Sequence, residues 1–391
     1  MVAHHRRFKA AIRSHALARE LVKRGHSVTL IVISNTRRFR LVEEDWDSVR
    51  VVESPDLLWG RLRSGWDPWN ILNRIRYLKG NHEFDIVHAF ETRPATIYPI
   101  LYLLKSKPLP LVIDWIDWWG RGGLMLVNRP FWYQKILGRF ETYFEEHFRP
   151  LAHSTTVISQ ALGKRAEGLG VDPGTISWIP DGADIDLFIP RDRSRYRSQF
   201  GIEQDKFVLG YSALDVIDDA ELVLHALKHL LLTHPETVLI TTGKVSRRLQ
   251  QLALDLGIAK EFRQLGFLPA SQLPLALSCA DVFLLPFRDK ISNIGRWPHK
   301  LGDYMALARP TVTNPVGEMR TLFTEEKIGL LADETPVDFA QKIFQLIQDE
   351  ELRLELGRNA RRIAETKFAW PHIVDRLEQC YGETLERSVQ S

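Results

Sequence analysis

Lys300 and Asp303 stand one helical turn apart, just after Pro298, a residue that marks a helix start because its missing N–H costs nothing there. Amides of such a first turn, together with the Lys300 ammonium, favour a phosphate, and Asp303 reaches the same ligand. An exposed ion pair has the same spacing and is the commoner use of two helical charges. A second polar point is Asp117, in the run Val112-Ile-Asp114-Trp115-Ile-Asp117-Trp118-Trp119-Gly120. The run closes a predicted strand, and ligands of parallel sheets sit at strand carboxyl ends. Asp114 is still within that strand and Asp117 lies beyond it. A turn-capping aspartate reads the same way, and the three tryptophans suit either a stacking platform or plain core. His4, His5, Arg6 and Arg7 fall in the first strand-to-helix loop, where bulky cations point to an anionic ligand or to a solvated basic terminus. His88, after Asp85-Ile-Val, either lines a ligand or fills core. None of the 13 histidines pairs with carboxylates at a spacing such as His-Glu-x-x-His, so no metal is expected.

The elements that must hold these residues alternate between helix and strand, which predicts α/β architecture with parallel sheets. Ala11, Ser14, Ala18, Leu21 and Val22 recur at helical spacing and Gly25 caps that helix. Ser27–Ile33 is a β-branched run of the buried parallel type, and further strands read at Val49–Val52, Asp85–His88, Leu111–Trp115 and Ser154–Ile158. Only Met1-Val2-Ala3 precede the basic loop, so the first strand reads as a stub whose beginning is missing, as a misassigned start codon would leave it. A second series opens at Phe207–Tyr211 and runs through strands near 237–241, 262–265, 282–285 and 311–313, with helices between. The charged stretch from Asp181 to Asp205 reads as the linker between two domains. The 391 residues suit two domains. A net charge of +3 excludes the dense basic surface of a nucleic-acid binder. Two cysteines, Cys279 and Cys380, exclude a disulfide framework. No apolar run is long enough to span a membrane, and the expectation is a cytoplasmic protein. From Leu57 to Gly80, Arg61, Arg63, Arg74, Arg76 and Lys79 interleave with Trp59, Trp66 and Trp69. That mixture suits peripheral contact with the anionic inner face of a membrane, or equally a solvated basic face with partly buried tryptophans.

Three segments in order carry a resemblance. The first comprises Thr155-Thr-Val-Ile-Ser159, Val171-Asp-Pro-Gly-Thr-Ile176 and Ile179-Pro-Asp-Gly-Ala-Asp-Ile-Asp-Leu-Phe188. The second is Arg263-Gln-Leu-Gly266-Phe with Ala280-Asp-Val-Phe-Leu-Leu-Pro286. The third is Lys300-Leu-Gly-Asp303-Tyr-Met-Ala306-Leu-Ala-Arg-Pro310. Together they resemble the group 1 (family 4-like) glycosyltransferases of the GT-B fold. The closing Phe368-Ala-Trp370 resembles the family's crossing to a last helix.

The resemblance implies two doubly wound Rossmann-like domains facing across a cleft. Residues 1–185 would form the acceptor side, joined by a C-terminal helix at about 370–391, and 206–369 the donor side. It implies transfer of a sugar from a nucleoside-diphosphate donor to a hydroxyl of a glycan or lipid-linked acceptor, with retention, no cofactor and no nucleic acid, in polysaccharide or glycolipid assembly. Lys300 would meet the diphosphate and Asp303 the ribose. Lys244, Asn293, Arg296, Gly266, Gly317 and Glu318 would complete the donor side. Asp117, in the place of a family histidine, would be catalytic beside Lys300. His4, His5, Arg6 and His88 would lie on the acceptor side. The sequence also departs from the family. Members carry two glutamates at the spacing that separates Gly295 from Asp303; Asp303 matches the second, and Gly295 leaves the first without a side chain. Gly210-Tyr-Ser212-Ala-Leu-Asp-Val lacks the usual arginine and lysine. A catalytically inactive, sugar-nucleotide-binding member is therefore the alternative. A dinucleotide oxidoreductase is disfavoured because no Gly-x-Gly-x-x-Gly follows a predicted strand.

Overall fold

The structure is a computed structural model that describes residues 1–6, 12–34, 36, 38–57, 64–80, 83–124, 131–212 and 217–390. The chain divides into two compact units. Unit 1 comprises Met1–Asp181, Lys290–Trp297 and Trp370–Ser391, and unit 2 comprises Gly182–Asp289 and Pro298–Ala369.

Unit 1 is built from β1 (Val2–Arg6), α1 (Ile12–Lys23), β2 (Thr29–Ile33), β3 (Val42–Trp46), β4 (Val49–Ser54), α2 (Pro68–Leu78), β5 (Val87–Phe90), α3 (Pro94–Leu104), β6 (Leu111–Trp115), α4 (Phe131–His147), β7 (Ser154–Val157), α5 (Gln160–Gly168) and β8 (Ile176–Trp178). Its strand order is β3-β4-β2-β1-β5-β6-β7-β8, parallel except for the edge strand β3. β1 pairs with β2 and β5 (Val2 opposite Ile31 and Ala89), so the sheet reverses direction of growth between β1 and β5. The expected stub at residues 1–3 is corrected here. The strand continues to Arg6, which pairs with Ile33 of β2, and this puts His4, His5 and Arg6 in the sheet instead of a loop.

β3 has no counterpart in the sequence reading. Asp47 and Ser48, both with positive φ (51° and 66°), make the tight turn that pairs it with β4. In the Trp- and Arg-rich segment the partly buried Trp66 agrees with the second of the two readings, while Arg74 departs from both. Arg74 is fully buried and donates to Ser54 Oγ, Ala95 O and Ala3 O (2.9, 2.7 and 2.8 Å), with burial lowering its pKa to about 9. Trp66 turns inward onto Phe144, its Nε1 donating to Glu141 at 2.9 Å. Arg76 and Lys79 are exposed, whereas Trp59, Arg61 and Arg63 lie outside the described residues.

Unit 2 contains α6 (Arg193–Arg197), β9 (Phe207–Ser212), α7 (Ile217–Leu230), β10 (Thr237–Thr242), α8 (Arg247–Asp255), β11 (Phe262–Gln264), α9 (Leu273–Leu277) and β12 (Val282–Leu285). The short α10 (Ile291–Ile294) belongs to unit 1. Unit 2 resumes with α11 (His299–Ala306), β13 (Thr311–Thr313), α12 (Glu318–Glu326), β14 (Gly329–Leu331), α13 (Pro336–Gln348) and α14 (Glu350–Ile363). Its all-parallel order, β11-β10-β9-β12-β13-β14, is the doubly wound 3-2-1-4-5-6 pattern, with the switch point between β9 and β12. Leu209, Leu227, Leu239, Leu284, Val312 and Ile343 lie in the core against α7 and α13.

The stretch expected as a linker is structured from Gly182 onward and grouped with unit 2. Buried Arg197 holds it there, pairing with Asp281 at 2.7 Å and donating to the carbonyls of Cys279, Gln204 and Lys206. The last helix, α15 (Trp370–Gln390), packs on α1 in unit 1, where Arg24 meets Asp375 and Glu378.

Arg74→Ala is expected to lower stability by about 3 kcal/mol, because the Ala3 and Ala95 carbonyls are left buried without a donor. Urea unfolding measures this, and an unchanged midpoint would show that Arg74 does not hold β1 and α3 together.

Candidate functional site

In unit 1 the chemistry gathers at the carboxyl end of β6. Asp114, within the strand, is fully buried and clamped by Arg13, whose Nε and Nη2 donate to it at 2.8 and 3.0 Å. Arg13 also reaches Asp181 (3.0 Å) and Ile179 O (2.6 Å), and Thr156 Oγ1 donates to Asp114 at 2.6 Å. Burial pushes the Asp114 carboxyl up, but the Arg13 guanidinium outweighs it and holds Asp114 below the usual range. Asp114 is a fixed anion that ties α1 to the sheet.

The loop after Asp114 is held by two buried carboxylates from distant parts of the chain. Glu91 Oε1 accepts the amides of Ile116 (2.9 Å) and Asp117 (3.3 Å), and Glu145 accepts those of Trp119 and Gly120 (both 2.7 Å). Arg149 locks the arrangement, donating to Glu91 Oε2 at 2.9 Å and to Asp114 O at 2.9 Å over the face of buried Trp115. Gly120 has to be glycine: a Cβ there would lie 2.6 Å from Thr142 Oγ1 and 2.7 Å from Glu145 Oε2.

Asp117 is presented by this loop in a partly buried position. Burial lifts its carboxyl to about 6, with Arg296 and Arg93 pulling down and Asp181 and Glu145 pushing up. Arg296, read from the sequence as a donor-side residue, is thus an electrostatic neighbour of Asp117 in unit 1, as part of the 290–297 segment. Asn293 lies buried in α10 of the same segment.

The missing glutamate at Gly295 acquires a steric reason. A Cβ on Gly295 would sit 2.8 Å from Trp118 Cβ and 3.2 Å from its ring. Trp118, stacked under Arg165 at 4.2 Å, therefore lies against the position where the family's first carboxylate would begin. Of the three tryptophans, Trp115 is core, while Trp118 and Trp119 are half-buried beneath Arg165 and Arg93.

The histidines behave differently from cations facing a ligand. His4 is buried with Nδ1 near Phe90 O (3.4 Å), and His5 packs beside it, its pKa lowered to about 4 by burial, so it is neutral at physiological pH. The Arg6 side chain and Arg7 lie outside the described residues. His88 is in the core, with Nδ1 2.7 Å from the Tyr381 hydroxyl on α15, stacked on Phe90, and pushed down to about 3 by burial. Among the described residues no group of three or more His, Cys, Asp or Glu side chains is placed to hold a metal ion.

In unit 2 the candidates border the carboxyl ends of β9, β10 and β11. Lys300, in the first turn of α11, donates from Nζ to Ser212 O at 2.6 Å and lies 4.7 Å from the Tyr211 ring, at the last two residues of β9. Tyr304, from the same helix, accepts the Ser212 amide at its Oη (2.8 Å), so α11 is pinned to the strand end twice. Asp303 follows Lys300 by one turn and is half-buried. Pro298 is the residue just before the helix, with extended backbone (φ −77°, ψ 106°), instead of its first helical residue. Lys244 is exposed just after β10, and the amide of its neighbour Gly243 donates to Gly266 O at 2.7 Å, so those two loops meet. Gly317 takes a positive φ of 54° before α12, and Glu318 is that helix's first residue.

Two units, each built on a largely parallel doubly wound sheet, agree with what the family comparisons show. The family profile "Glycosyl transferases group 1" matches residues 192–363, and "Glycosyltransferase Family 4" matches 10–187. The chain belongs to the group 1 glycosyltransferases and has the GT-B fold. It is 29% identical over 231 residues to a D-inositol 3-phosphate glycosyltransferase of Corynebacterium jeikeium, covering 56% of this chain and 54% of that protein. It is 25% identical over 227 residues to the spore coat protein SA of Bacillus subtilis, covering 52% and 57%. The chain thus matches about half the length of these relatives. Among solved structures, sucrose-phosphate synthase from Thermosynechococcus elongatus shares the fold with a TM-score of 0.79 at 16% identity, covering 99% of each chain. Anabaena HepE, in complex with UDP and glucose, shares it with a TM-score of 0.70 at 18% identity, covering 97% and 99%.

Sequence reasoning missed Glu91, Glu145 and Arg149. Burial raises the Glu91 carboxyl to about 7 against the pull of Arg149. Between the ordinary glutamate range and pH 7 the folded protein therefore keeps a proton that the unfolded chain gives up, and stability falls as pH rises through that window. Glu91→Gln is expected to remove this slope, so that wild-type stability relative to the variant drops by about 3 kcal/mol between pH 4.5 and 7.5. Urea unfolding at both pH values measures it, and parallel profiles would contradict the raised pKa.

Proposed function

We propose that the protein transfers a sugar from a nucleoside-diphosphate-sugar donor to an acceptor hydroxyl, with retention of anomeric configuration. The observation that carries this reading is the Lys300 ammonium, fixed by Ser212 O in the first turn of α11, beside the switch point of the unit 2 sheet. A cation and helix-start amides at that place suit a diphosphate, whose negative charge grows as the sugar leaves. Asp303, one turn on, suits the ribose hydroxyls, because an ionised carboxylate accepts strong hydrogen bonds. Asp117 is assigned to a hydroxyl of the transferred sugar and to the positive charge that develops at the anomeric carbon. Gly266, Lys244, Gly317 and Glu318, all on loops at strand ends or helix starts of unit 2, are the further donor contacts in this reading. The UDP and glucose held by HepE make UDP-sugars the first donors to examine. A glycan or lipid-linked hydroxyl is the acceptor class.

A second reading, an inactive sugar-nucleotide binder, is favoured by one feature: Trp118 crowds the Gly295 position against any side chain. Nucleotide binding without turnover distinguishes it.

A thermal-shift screen of UDP-, GDP- and ADP-sugars identifies the donor. With that donor, Lys300→Ala is expected to lower kcat roughly 30- to 1000-fold, the loss of about 2–4 kcal/mol of transition-state stabilisation. Asp303→Asn is expected mainly to weaken nucleoside-diphosphate binding in calorimetry. Wild-type turnover and affinity in Lys300→Ala would move the phosphate site elsewhere.

A further inference from the structure

α4 carries a surface that the core does not explain. Six of its large apolar or aromatic side chains are exposed: Phe131, Trp132, Ile136, Phe140 and Tyr143 by 76%, 62%, 56%, 53% and 47%, and Leu137 by 36%. Trp132, Ile136, Phe140 and Tyr143 follow at i, i+4, i+8 and i+11, which places them on one stripe of the helix. Single exposed hydrophobics are ordinary; a stripe of them on one helix marks a surface that is covered by something.

The charges along α4 indicate what covers it. All three of its carboxylates are engaged by other groups, although Glu146 borders the stripe beside Arg139 and Tyr143. Glu141 accepts Trp66 Nε1, Glu145 holds the loop after β6, and Glu146 pairs with Arg121 and Arg165. The charges left beside the stripe are cationic: Lys135 and Arg139 are both exposed, and Lys135 Nζ lies 6.0 Å from the Phe131 ring centre. An aromatic stripe with Trp and Tyr, flanked by cations and with its one neighbouring carboxylate, Glu146, paired to two arginines, is the composition of a helix lying in the headgroup region of an anionic bilayer.

We propose that the exposed face of α4 docks the protein on an anionic phospholipid bilayer. This moves the membrane surface away from the 57–80 segment, whose Arg74 and Trp66 are turned inward. It also deepens the transferase reading, on which this clause rests. α4 is tied to the loop that bears Asp117, because the Arg121 amide donates to Thr142 Oγ1 (3.0 Å) and Glu145 holds Trp119 and Gly120. Docking α4 therefore holds that loop near the bilayer surface, where the hydroxyl of a lipid-linked acceptor would be presented.

The test is co-sedimentation of the full chain with phosphatidylcholine vesicles, with and without phosphatidylglycerol. Binding is expected to be at least tenfold stronger to the anionic vesicles and to weaken with salt. Lys135→Ala with Arg139→Ala is expected to lower partition by about fivefold per cation removed. Trp132→Ala with Phe140→Ala is expected to lower it about tenfold or more, and because both residues are exposed the fold is retained, as circular dichroism would verify. Calorimetry with nucleoside diphosphate on the same variants should match wild type, so loss of membrane binding and loss of the donor site are read separately. Equal binding to both vesicle types, or wild-type binding by either double variant, overturns the proposal. So does a dimer in sedimentation velocity that Trp132→Ala with Phe140→Ala dissociates, with no vesicle binding by the wild type.

Discussion

The arrangement in unit 1 rests on two carboxylates that accept hydrogen bonds from a loop far away in sequence. Glu91 and Glu145 take four successive-turn amides between Ile116 and Gly120, groups that would otherwise be orphaned at a strand end. Charged acceptors make such bonds strong, but they also bring anions into the interior. Arg149 and Arg165 answer that charge, and Trp115 lies under both guanidinium groups. The result is a short rigid loop, and the side chain it presents is Asp117. Its raised pKa follows from the same construction: the protein that fixes the loop also excludes water from the carboxyl.

Unit 2 solves a related problem differently. There, α11 is secured by polar contacts to the end of β9. Tyr304 packs flat against Phe283 at 3.9 Å and takes the Ser212 amide, while Lys300 caps the Ser212 carbonyl. The backbone of Ser212 is thus satisfied by two side chains of one helix, and the same contact brings a cation to the switch point.

Much of this was legible in the sequence, for identifiable reasons. Parallel strands such as β2 and β12 are apolar runs, α1 has clear helical spacing, and the Lys300-to-Asp303 turn falls on α11 where it was expected. β3 was not legible, since Glu43, Glu44 and Asp45 on a solvated edge give no apolar alternation. α4 escaped for the opposite reason: its outward stripe is aromatic, so the polar face that marks a surface helix is missing. The partners of the loop amides are separated from them by 25 or 26 residues, and no spacing rule connects groups that meet only through the sheet. Arg74 looked like a surface cation because its partners are backbone carbonyls, which every sequence has. The absent carboxylate at Gly295 could be read directly, whereas its cause, Trp118, could not.

The central claim is that the loop after β6 exists to present Asp117 as the carboxyl that acts on the transferred sugar. The most direct measurement is the pH dependence of kcat/KM with the identified donor, for the wild type and for Asp117→Asn. The account predicts a wild-type profile that rises with an apparent pKa near 6, as the buried carboxyl ionises. It predicts that Asp117→Asn loses most of the activity together with that limb, while nucleotide affinity is preserved. An Asp117→Asn protein with wild-type turnover and the same limb near pH 6 would contradict it.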